Sequence, residues 1–103
     1  MSEEVLMCCI DLLGITVVKK NFESGAAGIV KWQNGKWHMG IRNGLPQDKT
    51  ARVMLHELAH IYLHYDKGNL VEHYNVEYEK QADRAADMAF DLMSVILKLR
   101  GMN

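Results

Sequence analysis

The sequence lacks most of the features that would make it anything other than one globular domain. It has a single proline, Pro46, so no proline-rich linker divides it. Its two cysteines, Cys8 and Cys9, stand side by side. Neighbours on a helix point in different directions and close no ordinary disulfide, and the Cys-x-x-Cys spacing of a redox or zinc motif is absent. Two small buried apolar side chains in a reducing cytosol are expected. The longest apolar run, Val5 to Ile10, is far shorter than a membrane span. Ser2-Glu3-Glu4 replaces the basic start of a secretory signal, so a cytoplasmic protein is expected. Charge of one sign is lacking as well: 12 Lys and Arg against 13 Asp and Glu leave a net charge of -1. With no basic stripe, neither nucleic acid nor a membrane is expected as a direct partner.

What remains is an ordinary balance of 49% hydrophobic and 24% charged residues over 103 positions. That suits a single domain spanning 1–103 with a modest core, to which a bound metal would add stability. Residues Glu3 to Leu13 are apolar on most faces and read as a first helix, stopped by Gly14. Ile15 to Lys20 favour a strand. Gly28 to Gln33 and Lys36 to Arg42 flank Asn34-Gly35, the pair suited to a two-residue type I′ turn. That turn sets Trp32 opposite Trp37 and Val30 opposite Met39, with Ile41 on the same apolar face. The Trp pair is expected to cover a helix in the core.

A second helix is expected from Asp48, as N-cap, to about Tyr65. Its apolar residues Met54, Leu58, Ile61, Tyr62 and Tyr65 share one face, with Val53 and Leu63 elsewhere, which makes it a central helix covered on most sides. A polar connection from Asp66 to Asn75 leads to a third helix from Val76 to Arg100, acidic at its start and ended by Lys98, Arg100 and Gly101. The order of helix, three strands, helix, helix predicts an α+β domain with a small sheet packed on helices.

The central helix carries His56-Glu57-Leu58-Ala59-His60. Positions i and i+4 share a helix face, so the two imidazoles converge on one ion. Glu57 points too poorly to be a ligand. It reaches a water in the ion's open position instead and takes its proton during attack on a carbonyl. This is the mechanical content of a zinc peptidase signature, and one Zn²⁺ per chain is expected. A metzincin would need Gly at position 63 and His at position 66, where this chain has Leu63 and Asp66. His64 is a further turn along. Three ligands in one row would span about 12 Å, so His64 is expected at the edge of the site or bound to backbone.

The acidic candidates for the third ligand are Glu72, Glu77, Glu79 and Asp83. Ala82, Ala86, Phe90, Met93 and Leu97 form one stripe on the third helix, with Glu79 at its centre and Glu77 on the opposite face. A carboxylate within an apolar stripe is costly unless paired or metal-bound, which selects Glu79. The alanines around it permit a close approach of the two helices. Asp83, one turn on, has two readings: a carboxylate orienting a ligand imidazole, or a solvated residue paired with Arg84 or Arg52. For stabilising an oxyanion, Tyr62, Tyr65, Tyr74, Tyr78 and His73 stay open, with His73 and Tyr74 preferred as contacts to substrate or transition state, and His64 beside them.

Two runs, His56-Glu57-Leu58-Ala59-His60-Ile61-Tyr62-Leu63-His64 and Glu79-Lys80-Gln81-Ala82-Asp83, resemble the ImmA/IrrE-type metallopeptidases, a gluzincin-like group. The resemblance extends from about Gly14 to Met93. It implies one zinc held by His56, His60 and Glu79, with Glu57 as catalytic acid and base. It also implies a protein substrate such as a helix-turn-helix repressor of a mobile element. The chain departs from the family pattern at Val53, at Gln81 and at Asp91-Leu92-Met93-Ser94, where threonine, glutamate and a proline-containing end are usual. The competing expectation is a metal-binding regulatory module that does not cut, which requires a closed fourth position on the metal.

Overall fold

A computed structural model describes residues 3–66, 69–70 and 76–101. Helix α1 (Glu3–Leu12) is followed by strands β1 (Ile15–Lys20), β2 (Gly28–Gln33) and β3 (Lys36–Arg42) and by helix α2 (Gln47–His64). A short pair, β4 (Tyr65–Asp66) and β5 (Asn69–Leu70), precedes helix α3 (Val76–Leu99). The class is α+β, as the element order predicts.

Gly14 adopts φ +84°, and the amides of Leu13 and Gly14 bond back to the carbonyls of Ile10 and Asp11, which closes α1. The hairpin forms in the expected register, Trp32 opposite Trp37 and Val30 opposite Met39. Asn34 and Gly35 both have positive φ, as a type I′ turn demands. β3 is central: β1 pairs with it in parallel and β2 antiparallel, so β2 is an edge strand. Met39 and Ile41 on β3 are fully buried and meet Met54, Ala51 and Leu55 of α2, with Leu6 and Ile10 of α1 and Ala86 of α3 completing the core. α3 lies along α2 on Ala82 and Ala86, both buried, so the small side chains allow close approach.

Several expectations need correction. Cys8 and Cys9 are exposed, because α1 buries only the narrow stripe of Leu6 and Ile10 and both sulfurs project off it. Trp37 packs on the core, but Trp32, its edge-to-face neighbour at 5.3 Å, remains 38% exposed near the hairpin turn. Tyr62 is exposed too, since α2 meets its neighbours through Ala51, Met54, Leu55 and Ile61 together with polar Glu57, His60 and His64. Helix α2 starts one residue before Asp48. Pro46 is the N-cap and its carbonyl accepts the amide of Thr50, while Asp48 sits in the first turn, where it complements the helix dipole. Tyr65 is already extended and pairs with Leu70, so part of the expected polar connection is the β4–β5 ladder.

Candidate metal centre

The i, i+4 spacing on α2 stacks the imidazoles of His56 and His60 edge to face, with their Nε2 atoms 3.0 Å apart. From α3, Glu79 enters between them: Oε2 is 2.8 Å from His56 Nε2 and Oε1 is 3.4 Å from His60 Nε2. One ligand atom from each of the three residues lies within 4.8 Å of the others, a spread one ion can bridge. The alanine contacts between α2 and α3 bring a carboxylate on one helix to the histidines of the other.

The other ring nitrogen of each histidine is also occupied. His56 Nδ1 is 2.8 Å from Asp83 Oδ1, one turn beyond Glu79. Arg52 pairs with Asp87 at 2.5 Å and lies over the Phe90 ring, so it is not the partner of Asp83. His60 Nδ1 is 2.8 Å from His64 Nδ1. Were both Nδ1 atoms the donors in these contacts, both Nε2 atoms would carry the lone pairs that a metal requires of neutral imidazoles. Burial, the nearby His56 and His64 hold the His60 imidazole below its ordinary 6.5, partly opposed by Glu79, which favours that neutral form.

Glu57 is 8% exposed. Burial pushes its carboxyl from 4.5 up to about 7; His56 opposes the rise and Glu79 adds to it. A bound dication would favour the ionised form again. What seats Glu57 is the start of β2. The guanidinium of Arg42 donates to the carbonyls of Ala26 (2.8 Å) and Ser24, and the Arg42 amide to Ala27 (2.8 Å), tying residues 24–28 to the end of β3. Gly28 then lies so close that a Cβ there would stand 2.8 Å from Val53 Cγ1 and 2.9 Å from Glu57 Cγ. Gly28 is a site residue that sequence reasoning missed, because the contact joins segments far apart in the chain.

Two recesses meet at Glu57 and Glu79. One, of about 720 Å³, runs past Ala26, Pro46, Arg52, His56 and Asp83. The other, of about 320 Å³, is bounded by Gly28, Ile29, Val30, His60 and Tyr65. Among the described tyrosines of the expected set, Tyr65 borders the centre. Tyr62 points to solvent, and Tyr78 stacks on His64 at 4.0 Å. His64 is neither at the rim nor on backbone: it is 3% exposed, behind His60, and its Nε2 meets Gln81 Oε1 at 2.8 Å. Glu72, His73 and Tyr74 lie outside the described residues.

Among the described residues no helix is long and apolar enough to cross a membrane. Compared with known families, residues 10–94 match the model of the peptidase family described as the IrrE N-terminal-like domain. No curated protein and no solved structure matches significantly.

Proposed function

The chain belongs to the IrrE N-terminal-like domain family of peptidases, and from that premise we propose that it is a zinc-dependent peptidase acting through His56, Glu57, His60 and Glu79. One observation carries the reading: three side chains from two helices bring a ligand atom each within 4.8 Å, with a buried carboxylate on the adjoining residue. Two imidazoles and one carboxylate are the donor set of catalytic zinc sites that keep a fourth position open. The regulatory-module alternative needs a fourth protein ligand. Among the described residues no further His, Cys, Asp or Glu joins the three, and Asp83 and His64 engage the opposite ring nitrogens.

A zinc ion held by His56, His60 and Glu79 would supply Lewis acidity for a carbonyl and for an attacking water. Glu57, buried on the residue adjoining His56, takes the proton from that water and passes it to the leaving amine. Tyr65, at the smaller recess, supplies a phenol to the developing oxyanion. Strand β2, an edge strand among the described residues, borders the smaller recess through Gly28, Ile29 and Val30 and offers backbone groups to an extended substrate. The substrate class is a protein, with a helix-turn-helix repressor of a mobile element as first candidate.

The test is hydrolysis of a quenched fluorescent peptide mixture by zinc-loaded protein beside Glu57→Gln. Cleavage by the first and none by the second, at equal zinc content, is the expected result. Equal rates would remove Glu57 from the reaction.

A further inference from the structure

His64 is a buried histidine that the ligand set does not use, and both of its ring nitrogens are engaged. Nδ1 is 2.8 Å from Nδ1 of His60, Nε2 is 2.8 Å from Oε1 of Gln81 on α3, and the ring stacks on Tyr78 at 11°. Two nitrogens in hydrogen-bond contact share one proton, so a neutral chain of this kind runs in only two directions. In the first, Gln81 Oε1 accepts the Nε2–H of His64, His64 Nδ1 accepts the Nδ1–H of His60, and His60 Nε2 carries a lone pair rather than a proton. In the second, the Gln81 amide is turned and donates, His64 donates from Nδ1, and His60 carries its proton on Nε2, beside Glu79. Only the first leaves His60 able to bind a metal.

We infer that His64 and Gln81 are positioning residues, a neutral relay that fixes the tautomer and ring orientation of His60. The inference rests on the metal reading of His56, His60 and Glu79. It makes the two ligand histidines unlike: His56 is backed by the carboxylate of Asp83, and His60 by an uncharged imidazole and amide. The relay also accounts for a polar side chain at 3% exposure with no opening to the recesses.

Zinc affinity, measured by competition with a chromogenic chelator on the full chain, tests it. His64→Phe keeps an aromatic ring against Tyr78 but gives His60 no acceptor, and zinc affinity is expected to fall roughly 10- to 100-fold. Gln81→Leu is expected to weaken binding in the same direction. Gln81→Glu, an obligatory acceptor, is expected to bind at least as tightly as wild type. Long-range ¹H–¹⁵N spectra of the zinc-loaded wild type read the tautomers without any substitution: the proton of His60 is expected on Nδ1 and that of His64 on Nε2. A His64 protonated on Nδ1 overturns the relay, whether or not the variants fold. Wild-type zinc affinity in a folded His64→Phe overturns it too and leaves the metal site standing. A wild type that takes up no zinc overturns the site and the relay with it.

Discussion

Removing the charge from Glu57 should stabilise the metal-free protein, although the same change should end catalysis. The carboxyl sits at 8% exposure and its pKa rises from 4.5 to about 7. The folded state therefore binds this proton more tightly than the unfolded chain. The stability this contributes is complete below about pH 4.5 and is lost as the pH climbs through about 7. A difference of that size, at about 1.4 kcal/mol per pH unit, is worth about 3 kcal/mol, or roughly 2–3 kcal/mol after solvent relaxation around a group that is not fully enclosed. Glutamine has the same shape and no charge to bury. In chelator at pH 8, Glu57→Gln should melt roughly 10–20 °C above wild type for a domain of this size, and the gap should close toward pH 4.5. The lowered pKa of His60 makes both proteins less stable as the pH falls through the imidazole range, a trend that cancels in the comparison. Thermal melts followed by circular dichroism at four pH values from 5 to 8 measure the gap. Parallel curves, with no change in the gap across the range, would refute the claim that burial of Glu57 dominates its proton affinity.

Other expectations concern the walls of the site. Gly28→Ala places a methyl group within 3 Å of Val53 and Glu57 side-chain carbons, so it should cost about 1–3 kcal/mol in a denaturant titration. By moving the Glu57 carboxylate it should also lower kcat/KM on the order of 100-fold; unchanged values would mean that β2 yields freely there. Asp83→Ala removes the acceptor on His56 Nδ1 and should weaken zinc binding roughly 10- to 100-fold, measured by chelator competition, with little effect on the melting temperature of the metal-free form because Asp83 is largely exposed.

Much of the architecture is legible in the sequence because local signals agree with one another. Asn34-Gly35 and strict alternation define the β2–β3 hairpin and its register, and the long third helix is bounded by acidic residues at one end and Gly101 at the other. The grouping of His56, His60 and Glu79 is legible for a related reason: helical periodicity places the histidines together and isolates one carboxylate within an apolar stripe. What periodicity does not carry is contact between elements. Strands of two residues, such as β4 and β5, are too short to show any period. The exposure of Cys8, Cys9, Trp32 and Tyr62 depends on how wide a stripe the neighbouring elements cover, which hydropathy alone leaves open. The meeting of His64 with Gln81, and of Gly28 with Glu57, joins residues from different elements across space. Helix α2 starts at Gln47 with Pro46 at the N-cap and no side-chain cap, where a side-chain cap on Asp48 was the sequence signal.

The most direct test of the account is metal content by mass spectrometry, on protein purified without added metal, for wild type and Glu79→Ala side by side. About one zinc per wild-type chain and loss of it in the variant are expected if His56, His60 and Glu79 together hold the ion. No zinc in the wild type, even after zinc is supplied, would contradict the account and leave the convergence of the three side chains without a metal.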